Sequence, residues 1–130
     1  AAHGNGLGDS SLIDLDCQLD PIYLNLETAT PCGLIVNELI LNVLDHAFTS
    51  SESGQVTLEF RDQGENGYLL VVQDNGRGLP QDFDPQTLNT LGWQLITLLT
   101  QQLDGQIAIV PTEGTRVELY FRELIYPARL

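Results

Sequence analysis

The segment NELILNVLDHAF, residues 37–48, constrains the fold more than any other stretch of this chain. It is rich in Leu and contains neither Gly nor Pro, so it predicts a helix. At about 100° per residue, Glu38, Asn42, Asp45 and His46 gather into a sector roughly 100° wide. Leu39, Ile40, Leu41, Val43, Leu44, Ala47 and Phe48 fill the remainder. A surface helix carries an apolar stripe beneath a broad polar face, and here the proportions are inverted. Such a helix belongs in a core, and its polar stripe must look into a cavity.

The rest of the chain supplies the walls of that cavity. Residues 12–18 (LIDLDCQ) alternate apolar and polar as a half-buried strand does, and a second short strand is expected at IYLNL, 22–26. In TATPCG, Thr30 is placed to N-cap the helix with Pro31 at its first position, and the helix then runs to about Phe48. QVTLEFR (55–61) and GYLLVVQ (67–73) predict strands joined through DQGEN, with Asn66-Gly67 favouring a hairpin. The polar stretch NGRGLPQDFDPQTLNT is longer than most connections in a compact domain. A second helix is expected over 91–103, with Gly105 at its exit, followed by strands QIAIV and TRVELYF. This order alternates poorly for a parallel doubly wound sheet. It predicts an α+β fold: a two-layer sandwich whose mixed, mostly antiparallel sheet is covered by helices on one face. One domain over 12–123 follows, with 1–11 as linker and 124–130 as a C-terminal tail.

Charge narrows the partners. Eighteen acidic residues stand against five arginines and no lysine, a net charge of −13. Nucleic acid and anionic membrane are poor partners for such a surface. No apolar run approaches the roughly 18 residues of a membrane span. A polyanionic ligand would need a metal ion, helix N-termini or backbone N–H groups to offset that field. Cys17 and Cys32 lack metal-site spacing and read as reduced, buried thiols of a cytosolic protein. The absence of Met reads as a fragment or a processed product.

Four segments carry chemistry. Glu38 and Asn42 present a carboxylate and an amide oxygen one helical turn apart. One or two such hard oxygens, with phosphate oxygens and waters, make a Mg²⁺ site. Glu38 could instead act as a general base, or the pair could merely bond each other or a strand. Asp74-Asn75-Gly76-Arg77-Gly78 ends the apolar run YLLVVQ, so Asp74 projects a carboxylate able to accept from an amino group such as adenine's. Gly76 and Gly78 permit close backbone approach to a flat ligand. The two prolines of LPQDFDPQ bar a returning strand, which argues against a plain Asn-Gly hairpin. Arg77 is either a phosphate contact or a solvated side chain. Thr90-Leu91-Gly92-Trp93 opens the second helix, whose free N–H groups suit phosphate, and Trp93 reads as a core aromatic. Gly114-Thr115-Arg116 puts a hydroxyl within reach of a ligand resting on the sheet, with an ordinary turn as the alternative.

The segments NELILNVLDHAF, DNGRGLP, TLGWQLITLLTQQLDG and EGTRVELYF stand in the order of the ATP-binding domain of sensor histidine kinases. Over residues 12–122 the chain resembles that family, and most closely the bacterial branch whose first motif reads like NELVTNALKHAF. The resemblance implies the Bergerat ATP-binding fold shared with gyrase, mismatch-repair and chaperone ATPases. It implies that Asn42 ligates Mg²⁺ bridging the phosphates, with Glu38 as the neighbouring acid and His46 as a polar phosphate contact. It gives the adenine amino group to Asp74, the base pocket to Gly76 and Gly78, and the mobile lid to residues 79–90. Gly92, with the helix start at Leu91, takes the phosphate side, and Thr115 supports adenine. Two departures stand out: Asp45 occupies the place of a common Lys, and Thr90 that of a second lid glycine.

What the resemblance implies for function is a cytoplasmic kinase domain that binds ATP and Mg²⁺. It would donate the γ-phosphoryl to a histidine on a dimerisation domain preceding residue 1, within a two-component phosphorelay ending on a response regulator. Neither His3 nor His46 fits that substrate histidine. No nucleic acid and no direct membrane contact are expected. A degenerate nucleotide-binding regulatory module without phosphotransfer, or an anti-sigma-type serine kinase, are the alternatives on the same fold.

Overall fold

The computed structural model describes residues 13–46, 54–76 and 90–125. Its elements are β1 (Ile13–Leu19), α1 (Leu26–His46), β2 (Gly54–Asp62), β3 (Tyr68–Asp74), α2 (Leu91–Gln102), β4 (Gln106–Pro111) and β5 (Thr115–Phe121). The strands lie in the order β1-β2-β3-β5-β4. β1 pairs with β2 in parallel, and the other three pairings are antiparallel. This is the mixed, mostly antiparallel sheet of the expected α+β sandwich.

Alternation along the strands explains why both helices share one face. Val56, Leu70, Val72, Val117, Leu119 and Phe121 turn inward and form one cluster with Ile35, Leu39 and Val43 of α1 and Ile96 and Leu99 of α2. Residues between them carry a polar ladder on the other face. There Arg116 ties three strands, bonding Glu118 at 2.6 Å and Gln73 of β3 at 2.9 Å and pairing with Glu59 of β2 at 3.6 Å. Val71, fully buried, lies in register between Glu59 and Glu118. Among the described residues no helix is long and apolar enough to cross a membrane.

Several local expectations are corrected. No strand forms over 22–26; α1 begins at Leu26, four residues before Thr30, and carries Pro31 inside. The cause is Asn25, whose Oδ1 accepts from the Thr28 N–H at 3.0 Å and from the Thr28 hydroxyl at 2.6 Å. An Asn cap of this kind outcompetes the Thr30-Pro31 signal. Nor is α1 a core helix all round: Leu34, Leu41 and Leu44 are 46%, 44% and 36% exposed. Its buried stripe is Thr28, Cys32, Ile35, Leu39 and Val43, and Glu38 and Asn42 are half-buried beside it. The expected β2–β3 hairpin through DQGEN does form, and its connection is a 3-10 turn at Gly64–Asn66 with positive φ at Gly64 and Gly67. Gly105 stands at the exit of α2 as expected, its N–H donating to the Thr100 carbonyl at 3.0 Å, and the left-handed residue before it is Asp104. Cys32 is buried and its thiol is pushed up to about 11 by burial, but Cys17 is exposed.

Asn25 also latches the end of the described chain. Its Nδ2 donates to the Leu124 carbonyl at 2.7 Å, its N–H donates to the Glu123 carboxylate, and the Leu124 N–H donates to Thr28 Oγ1 at 2.9 Å. Asn25→Ala removes the cap and the side-chain bond to Leu124, while the backbone bond to Glu123 and the Leu124–Thr28 bond need no Asn25 side chain. The substitution is expected to lower stability by about 1–2 kcal/mol in urea unfolding, and a change within error would show that neither lost contact matters.

Candidate functional site

β3 is the middle strand of five, and its run Leu70-Val71-Val72 is almost fully buried. Asp74 ends that run and is itself only 5% exposed. Burial disfavours the charged form, so the Asp74 carboxyl is pushed above its ordinary value, opposed by the N–H groups of Gly76 and Thr115. The Gly76 N–H lies 2.9 Å from Asp74 Oδ1. Thr115, the first residue of β5, is the register partner of Asp74. Gly114 presses against the same residue: a Cβ there would lie 2.7 Å from both the carbonyl carbon and Oδ1 of Asp74. Only glycine fits so close an approach.

A second group forms where α1 meets α2. A Cβ on Gly92 would lie 2.9 Å from Glu38 Oε2 and 3.8 Å from Asn42 Oδ1, so the acid, the amide and the helix start converge. Thr90 caps α2, its Oγ1 accepting from the Trp93 N–H at 3.2 Å. The N–H groups of Leu91 and Gly92 lie in the first turn, where no intrahelical acceptor exists. Leu91 is 82% exposed, so its backbone is what it offers a ligand. Trp93 packs against the core, as its sequence context suggests.

The candidates thus fall into two groups, Asp74–Gly76–Thr115 and Glu38–Asn42–Gly92, joined in the chain by residues 77–89. His46 ends α1 one turn beyond Asn42. Arg77 and Gly78 lie outside the described residues, as does the expected lid except Thr90. Asp45 is exposed. Among the described residues no three His, Cys, Asp or Glu side chains cluster to hold a metal unaided. A cavity of about 660 Å³ lined by Leu103, Asp104, Tyr120, Phe121 and Arg122 lies at the other end of β5 and touches none of the candidates. The structure gives two motif residues, Gly114 and Asn75, roles that the sequence patterns do not indicate. Gly114 contributes by lacking a side chain, and Asn75 by a side-chain bond to Gln55; both depend on contacts between strands far apart in sequence.

A family model described as "Histidine kinase-, DNA gyrase B-, and HSP90-like ATPase" matches residues 28–125. The chain belongs to this ATPase family. Over 121 residues it is 37% identical to the sensor histidine kinase PdtaS of Mycolicibacterium smegmatis, covering 87% of this chain and 24% of that protein. Blue-light-activated histidine kinase 2 of Erythrobacter litoralis is 31% identical over 105 residues, covering 81% of this chain and 30% of the relative. The solved histidine kinase domain from an Erythrobacter litoralis blue-light activated histidine kinase superposes with a TM-score of 0.78 at 32% identity. That match covers 87% of this chain and 53% of the other. The mycobacterial sensor histidine kinase MprB, at 16% identity and a TM-score of 0.66, shares the fold. This ATPase domain therefore spans between 24% and 30% of the length of the two curated relatives.

Proposed function

We propose that this ATPase domain binds Mg-ATP and, in a longer cytoplasmic sensor kinase, donates the γ-phosphoryl to a histidine on a separate dimerisation domain, from which a response regulator receives it. The observation that carries this reading is the buried Asp74 carboxylate, aligned with Thr115 at the end of the central strand. A carboxylate kept there at the expense of desolvation suits an amino group that needs an acceptor, as adenine's does. Thr115 supports the base beside it, and Gly76 lines its edge. The phosphates reach the N–H groups at the start of α2, Leu91 and Gly92, with His46 as a polar contact. These backbone groups and the helix dipole offset a chain charge of −13.

The donor set fits Mg²⁺ in one manner only. Asn42 Oδ1 and the Glu38 carboxylate are hard oxygens, too few to hold the ion alone, so phosphate oxygens must complete its shell. Bound there, Mg²⁺ would supply charge neutralisation for the phosphates. Phosphoryl transfer otherwise asks the protein mainly for positioning, which the two residue groups provide. Asp45, exposed on α1, remains solvated and screened, so its negative charge weighs little against a transferring kinase.

Calorimetric titration with ATP, with and without Mg²⁺, tests this reading. Wild type should bind more tightly with Mg²⁺, and Asn42→Ala should lose about tenfold in affinity with Mg²⁺ and nothing without it. Binding that ignores Mg²⁺ in both proteins would remove Asn42 from the metal site. Transfer is tested separately in the full-length kinase, where failure to label the upstream histidine would favour a regulatory module that only binds nucleotide.

A further inference from the structure

We propose that Asn75 is a positioning residue for nucleotide recognition: its side-chain amide ends β3 and so fixes the Asp74 carboxylate. This rests on the reading of Asp74 as the acceptor for a nucleotide amino group. The register of β2 and β3 pairs Val56 with Asp74, which puts Gln55 opposite Asn75. The Asn75 N–H donates to the Gln55 carbonyl at 3.2 Å, as a ladder pair should. The reciprocal bond does not use the Asn75 carbonyl. The Gln55 N–H donates instead to Asn75 Oδ1, at 2.8 Å. A side-chain oxygen has replaced the backbone acceptor, so the pair is complete while the Asn75 carbonyl is released from the ladder.

That substitution allows the chain to turn immediately after Asp74. The turn brings the Gly76 N–H back onto Asp74 Oδ1 at 2.9 Å. On the other side Asp74 is paired with Thr115 of β5. Gln55 is in turn in register with Asp14 of β1, so the anchor reaches across three strands. The Asn75 oxygen is engaged on the β2 side, whereas the Asp74 carboxylate is held with β5. Asn75 therefore acts through Asp74 and does not touch the base.

The test uses two nucleotides that differ only in the group Asp74 would read: ATP and purine riboside triphosphate, which lacks the 6-amino group. Affinities of both are measured by calorimetry for the 130-residue chain as wild type, Asn75→Leu and Asn75→Asp. Asp keeps an acceptor for the Gln55 N–H, and Leu does not. Wild type should prefer ATP; Asn75→Leu should lose about five- to tenfold of its ATP affinity, the worth of one hydrogen bond, with the purine nucleotide unchanged. Asn75→Asp should keep the preference. Both nucleotides meet the same sample, so any unfolded fraction cancels in the ratio. A wild type indifferent to the 6-amino group overturns the reading of Asp74 and this role with it. A wild-type preference that survives in Asn75→Leu, equal loss for both nucleotides, or no rescue by Asn75→Asp overturns the role of Asn75 alone.

Discussion

Asp74→Asn is expected to lower ATP affinity by about 10- to 100-fold and, at pH 7, to leave the fold at least as stable as wild type. The first effect is the loss of a hydrogen bond to a charged acceptor, about 1.5–3 kcal/mol. The second follows from where the carboxyl sits. Burial raises its folded-state pKa above the ordinary value, so the folded protein favours the protonated, neutral form. Its stabilising contribution is complete below the unfolded-state pKa and is lost as pH rises through the folded one. At pH 7 the ionised Asp74 is therefore a cost that the neutral Asn does not carry, while Asn keeps an oxygen for the Gly76 N–H. The stability gap should close as pH falls through the carboxylate range, and wild-type ATP binding should weaken over that same range. Urea unfolding and calorimetry at neutral and acid pH measure both. A variant that binds ATP as wild type does, or that is clearly less stable at pH 7, would sink this account. Sites that bind charge commonly trade stability for function in this way.

What was legible in the sequence were features with local causes. The alternation of QVTLEFR and TRVELYF gives β2 and β5, and the short apolar run YLLVVQ gives β3, to within a residue or two, because a half-buried strand repeats every second side chain and a central one is buried on both faces. Asp74 and Thr115 could be placed at strand ends for the same reason, and Glu38 and Asn42 on one helix face by their spacing. The start of α1 was not legible in this way. Asn25 and Thr30-Pro31 both offer helix starts, and the choice is decided by bonds from Asn25 to Thr28 and to the distant Leu124. The exposure of Leu41 and Leu44 is hidden from the sequence for a related reason. In a two-layer fold each helix covers the sheet with one side only, and apolar residues remain on the other. The roles of Asn75 and Gly114 stay hidden because their partners, Gln55 and Asp74, lie on strands brought beside them only by folding.

Gly114→Ala is expected to be the most damaging single-methyl change at the site. The added Cβ would lie 2.7 Å from the carbonyl carbon and from Oδ1 of Asp74, and nearer still to its carbonyl oxygen. Two of those three atoms are backbone and have no rotamer by which to withdraw. Either β3 and β5 separate where Asp74 pairs with Thr115, or the carboxylate swings out of place. Overpacking of this kind costs about 2–3 kcal/mol, and each route also displaces the base-recognition pair, so ATP affinity should fall more than about tenfold. Gly92→Ala provides the contrast. Its nearest obstacle is Glu38 Oε2 at 2.9 Å, the free end of a flexible side chain, so the protein should yield within about 0.5 kcal/mol. Urea unfolding and ATP calorimetry on the two variants decide the matter. Equal stability losses would mean that clash with fixed backbone is not what sets the cost at Gly114. A stable Gly114→Ala protein with wild-type affinity would mean that Asp74 is not held by this close approach.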